Sequence, residues 1–153
     1  MAKSKIKVKD ELLHECVKIQ SELVETLKVA IKNVQDAAND ERGGSEENFE
    51  SFREQCQHDR EMYARQLEQA NAGLQILKKI DPDAKVDTVK LGSVVVTDKL
   101  KVFLSWNMGK IQVGSNTFIA ISTQAPLYDS IAGKKKGESF AFRGETHKVL
   151  EVY

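Results

Sequence analysis

From Asp10 to Asp40 the chain holds no glycine and no proline, and its apolar residues return at steps of three and four. Leu13, Cys16, Gln20, Leu23, Leu27, Ala30, Val34 and Ala37 form a heptad seam with one polar member, the spacing of a coiled-coil helix. Val17, Ile19, Val24 and Ile31 flank that seam, and Lys and Glu fill the solvated face. A second seam runs through Phe49, Phe52, Cys56, Tyr63, Leu67, Ala70, Leu74 and Leu77, with a weak step at Asp59 and Arg60. Gly73 costs ~1 kcal/mol relative to Ala, which predicts fraying near the end of this helix. Pro82 stops it by Ile80. Each seam is roughly 30 residues, or ~45 Å of helix. The short link "ERGGS" makes the two antiparallel neighbours, with Gly43 ending the first and Ser45 capping the second. The spacing therefore predicts a helical hairpin over residues 1–80, its tip at about 40–47. The opening "MAKSKIKVKDELL" lacks the apolar core of a signal peptide and reads as a solvated basic lead-in.

After Asp81 the residue usage changes. A linker over 81–90 leads to a small β-rich domain over 91–153. "SVVVT" and "KVFLSW", split by "DK", read as a hairpin. "KIQV", "NTFIAIS", "ESFAFR" and "HKVLEVY" add four strands, with turns at "NMG", "VGSN" and "RGET". "APLYDSIAG" interrupts them as a short helix between the fourth and fifth strands: Pro126 suits its first turn, Ile131 faces inward and Gly133 ends it. The fold class is α+β, with one sheet-on-helix core in the second half.

Lys and Arg number 23 and Asp and Glu 23, so the net charge is zero. That balance excludes coating of nucleic acid by charge alone. Cys16 and Cys56 match no metal spacing and fit a reduced, cytoplasmic setting. No apolar run approaches the ~18 residues of a membrane span. Locally the charge is uneven. Residues 36–54 hold seven acids against Arg42 and Arg53, a net charge of −5. Such a cluster repels itself, so it suggests a cation or a basic partner, although any solvated hairpin end can look the same. His14, His58 and His147 are scattered and read as surface residues. Trp106 reads as a core or docking residue, and "AGKKKGE" as a basic loop. Arg53, Arg60 and Arg65 do not share one helical stripe and read as solvation of the second helix.

Long helical hairpin plus small β domain resembles the Gre transcript cleavage factors, GreA and GreB. The more specific match lies in residues 91–153, where "LGSVVVT" resembles that family's first strand. "APLYDSIAGKKKGESFAF" resembles its Ser-Pro helix, Gly-Lys loop and following strand, and "KVLEVY" its closing strand. The resemblance implies an FKBP-like second domain that docks on RNA polymerase, with Pro126, Lys134, Lys135 and Lys136 as partner-binding residues. It implies a hairpin that enters the polymerase's secondary channel, and a factor that is not itself an enzyme. Acidic tip residues in that family help hold a second catalytic Mg²⁺ shared with the polymerase, so that backtracked RNA is hydrolysed. It further implies a monomer with no cofactor of its own, meeting nascent RNA or DNA only within the polymerase complex.

The family's tip reads Gly-Asp-x-x-Glu-Asn. Here Gly43, Glu47 and Asn48 match, while Gly44 stands at the Asp position and supplies no ligand. Glu47, with neighbouring Glu46, is the candidate for the catalytic tip acid. Glu47, Asp40 and Glu41 are the candidate metal contacts. Two competing classes stay open: a channel-binding regulator without cleavage stimulation, and a structural protein whose hairpin dimerises as a coiled coil. A prolyl isomerase is disfavoured, because no aromatic cluster marks a proline pocket.

Overall fold

The computed structural model describes the backbone of residues 2–39 and 46–153 and the side chains of 5–39 and 50–153. Helices α1 (Ala2–Ala38) and α2 (Glu46–Lys78) are followed by β1 (Val94–Thr97), β2 (Lys101–Ser105), β3 (Gly109–Val113) and β4 (Asn116–Ser122). The short helix α3 (Pro126–Ile131) precedes β5 (Ser139–Phe142) and β6 (Glu145–Val152). This is the α+β order expected of the sequence, with all six strands and the short helix in their expected places. The chain divides into two compact units, Ile19–Leu74 and the combination of Met1–Lys18 with Gln75–Tyr153. Among the described residues no helix is long and apolar enough to cross a membrane.

In the helical unit α1 and α2 run antiparallel. Gln20 reaches Ala70, whereas Val34–Asn39 share a groove with Glu50–Glu61. The buried positions along α1 are Lys9, Leu12, Leu13, Cys16, Gln20, Val24 and Leu27. Val24 takes the seam place expected of Leu23, which is 45% exposed. The reason is helical drift. At ~100° per residue Val24 lies ~20° round the helix from Leu13, whereas Leu23 lies ~80° from it, toward the edge of the buried stripe. On α2, Cys56, Ala70 and Leu74 are buried as expected, but Phe52 is 47% exposed. Val34, Ala37 and Ala38 are the apolar residues α1 has left at that end, little surface to cover a phenyl ring. Gly73 does not fray the helix, which continues to Lys78. Packing of Leu74 and Leu77 on either turn outweighs the ~1 kcal/mol glycine cost. Two tightened turns, Lys79 N–H to the Ile76 carbonyl and Ile80 N–H to that of Leu77, close the helix before Pro82.

The sheet unit is built around one six-stranded sheet of order β3-β4-β2-β1-β6-β5. Only β2 and β4 pair in parallel, because the chain passes from β2 to the outer strand β3 and returns by a tight hairpin to lie between them. The sequence predicts one sheet-on-helix core, but the sheet is covered on both faces. Leu12, Leu13, Cys16, Leu77 and Ile80 pack on one face against Val94, Phe103 and Phe118. Leu127 and Ile131 of α3, with Val89, pack on the other against Val95, Val102 and Leu104. The signal was in the runs: Val94–Val95 and Val102–Leu104 are buried without alternation, as strands covered twice must be. Gly92 is required where it stands. Its φ is +89°, and a Cβ there would lie 3.2 Å from the Ile80 side chain.

The amino-terminal segment departs from expectation. It is no solvated lead-in but the start of α1, helical from Ala2. Nothing between Ala2 and Lys9 breaks a helix, and Val8 and Leu12 bury against the sheet. Lys9 is only 2% exposed. Burial pushes its pKa down, and Lys90 adds to that, while Asp81 pulls the other way.

Candidate functional site

Sequence reasoning places the functional acids at the end of the helical pair. Asp40 and Glu41, with Gly43 and Gly44, lie outside the described residues. Glu46 and Glu47 open α2 in its first turn. Acidic residues in the first turn suit the positive end of the α2 dipole, a purely structural reason for two acids at this place in the sequence.

Just behind that turn the described side chains form a groove of about 480 Å³ between the last turns of α1 and the first turns of α2. Val34 and Ala38 line it from α1, Cys56 from α2, and Gln35, Gln57, Glu50, Glu54, Glu61, Arg53 and Arg60 surround them. Its lining along α2 extends to Arg60, at the weak step of the seam. Arg53 and Arg60, expected only to solvate the helix, line this groove, whereas Arg65 does not. Further along, Gln20 is 3% exposed and its Nε2 donates to the Ala70 carbonyl at 2.9 Å. A single buried polar contact of this kind fixes the register of paired helices.

The second set of expected residues surrounds α3. Pro126 opens that helix, where its missing N–H costs nothing, and it is exposed. Leu127 and Ile131 anchor the helix in the core, and Gly133, at φ +74°, turns the chain out of it. The following loop is a built turn. Lys134 accepts from Val89 N–H at 2.9 Å, and Lys135 N–H donates to Glu138 Oε1 at 3.0 Å. The side chains of Lys135 and Lys136 are exposed and that of Lys134 is half-buried. Three lysines are thereby presented on a fixed backbone.

Two further placements differ from expectation or refine it. His147 is buried, 4% exposed, rather than a surface residue. Its ring stacks on Phe140 at 5.0 Å and 8°, its Nε2 lies 3.9 Å from Glu145 Oε2, and its Nδ1 has no partner. Residues 147 and 149 alternate inward along β6, and that alternation, not the scatter of the three histidines, decides where His147 lies. Trp106 is half-buried against the cluster that joins the sheet to the helix bases, which makes it a core residue.

No family model matches the chain, and no curated protein matches it. Solved structures similar to it include two of a GreA factor homolog. One is the crystal structure of GreA factor homolog 1 (Gfh1) protein of Thermus thermophilus, 13% identical over 92% of each chain, with a TM-score of 0.34. The other is a structure of the transcription factor Gfh1, 17% identical over 93% of each chain, with a TM-score of 0.34. The likeness runs along nearly the whole of both chains.

Proposed function

We propose that this chain is a transcription elongation factor that binds RNA polymerase and places the end of its helical hairpin in the secondary channel. One observation carries the reading. The residues that resemble the Gre factors occupy the elements the resemblance requires, in one chain with a long antiparallel helix pair. Val94–Thr97 is the first strand, Pro126–Ile131 the helix, and Ser139–Phe142 and Glu145–Val152 the closing strands. The α1 helix has 37 residues, which at 1.5 Å each is about 55 Å of rise. On this reading the surface of Pro126 and Lys134–Lys136 docks on the polymerase.

Glu47 then stands nearest the reacting RNA, and a carboxylate there suits Mg²⁺, a hard cation that takes oxygen ligands. The protein supplies no nucleophile; the polymerase performs the hydrolysis with a metal pair. Asp40, Glu41 and Glu46 are the other acids at hand. The absence of a carboxylate at Gly44 favours a second form of the same idea, in which the factor occupies the channel without stimulating cleavage.

The test uses backtracked polymerase complexes with and without the protein. Binding with faster RNA shortening, abolished by Glu47→Ala, supports the first form. Binding with unchanged shortening supports the second, and Gly44→Asp is then expected to raise it. Failure to bind polymerase overturns both.

A further inference from the structure

The sheet unit also carries a groove that neither the tip nor the α3 surface uses. It measures about 300 Å³ and lies between the first turns of α1 and strands β1, β2, β4 and β6. That volume is at the lower end of the range of protein binding pockets. Val8, Val96, Leu150 and Tyr153 supply apolar surface, and Leu150 is 42% exposed. Two lysines stand over aromatic rings at its margins. Lys5 Nζ lies 5.7 Å from the Tyr153 ring centroid and 3.5 Å from Glu151. Lys101 Nζ lies 6.0 Å from the centroid of Phe118 and donates to neutral Asn116 Oδ1 at 2.6 Å.

The charges are not balanced. Glu151 answers Lys5, but among the described residues no carboxylate pairs with Lys101. A half-buried ammonium over apolar surface, held by one neutral acceptor, favours an incoming anion. We infer that this groove docks a short acidic and apolar segment of a partner protein, one large apolar side chain entering beside Leu150 and a neighbouring carboxylate meeting Lys101. A basic segment is repelled by the same lysine. The inference stands independently of the hairpin reading, because it uses none of the tip residues.

The probe is a capped pentapeptide, Glu-Leu-Asp-Phe-Glu, titrated into the full chain with methyl-labelled valine and leucine and followed by NMR. Saturable shifts are expected at Val8, Val96 and Leu150, weakening as salt is raised. Lys101→Ala is expected to weaken binding about tenfold, the loss of one charge-assisted hydrogen bond. Lys101→Glu is expected to move the preference to the matching lysine-containing peptide. No saturable shift, or equal binding of acidic and basic peptides by the unaltered chain, overturns the inference. So does a dimer, seen by sedimentation, that Leu150→Asp dissolves, because a second copy then fills the groove. The salt dependence and the peptide comparison need no variant, so the inference stays testable even if Lys101 substitutions unfold.

Discussion

Two serines face each other across the parallel β2–β4 ladder, Ser105 and Ser122, and their hydroxyls are treated oppositely by the fold. Ser105 is 1% exposed and its Oγ has no hydrogen-bond partner. Ser122 is half-buried, and its Oγ accepts from Gln124 N–H at 3.1 Å. Burying an unpartnered hydroxyl costs about 1–3 kcal/mol. Replacing it by hydrogen forfeits only the contacts of one oxygen, a few tenths of a kcal/mol. Ser105→Ala is therefore expected to stabilise the protein by about 1 kcal/mol, raising Tm by about 2–4 °C for a chain of this length. Ser122→Ala removes a satisfied bond and is expected to cost about 0.5–1 kcal/mol. Urea unfolding followed by the fluorescence of Trp106, the single tryptophan, measures both, with an unchanged m-value as the control. A lowered midpoint for Ser105→Ala would show that the hydroxyl is satisfied and refute the reasoning.

Other expectations follow from single residues. Gln20→Leu keeps the seam buried and leaves the Ala70 carbonyl its helical bond, so stability should hold or rise by up to about 1 kcal/mol, whereas Gln20→Ala should lose about 1–2 kcal/mol; denaturation midpoints decide. Leu77→Ala, at a fully buried position, should cost about 2–5 kcal/mol. Phe52→Ser, at a 47% exposed ring, should cost less than about 1 kcal/mol, and equal losses would contradict the seam described. The Cys16 thiol is pushed up to about 12, chiefly by burial and then by Glu15. Its share of stability is complete below pH 9 and is lost as pH rises toward 12, so Cys16→Ala should flatten the alkaline stability slope. Lys9 has the opposite sign. Its folded pKa is lowered, so the unfolded chain keeps the proton to higher pH and stability rises with pH across that window. Lys9→Met should remove that slope and stabilise the protein at neutral pH, as denaturation at several pH values will show.

Much of this architecture was legible in the residues. The helical pair came from apolar spacing, and the strands came from β-branched runs between glycine-rich turns. The details that escaped were those in which tertiary packing overrides local pattern. Leu23 and Val24 are adjacent and both apolar, so only the phase of a real helix decides which one is buried. The basic "AKSKIKVK" reads as solvated until Val8 and Leu12 meet the sheet. His147 is polar by type but inward by strand alternation. The turn at Arg143 and Gly144, with φ of +52° and +80°, follows the expected "RGET", although arginine is an uncommon first member of such a turn. The groove over Val96 and Leu150 was not legible at all. It joins the amino end of α1 to strands more than eighty residues away in sequence, and no spacing rule spans that distance. Of the candidate tip acids only Glu47 matches the motif, and only Glu46 and Glu47 fall in a described element.

The functional reading rests on where the end of the helical pair goes when the protein meets RNA polymerase. A photo-reactive amino acid placed at position 47 in the full chain, added to a backtracked complex with labelled RNA, reports that location. The channel reading expects a cross-link to the polymerase's catalytic centre or to the RNA 3′ end, suppressed by unlabelled protein. Cross-links confined to the outer surface of polymerase, or to a second copy of this chain, would contradict it.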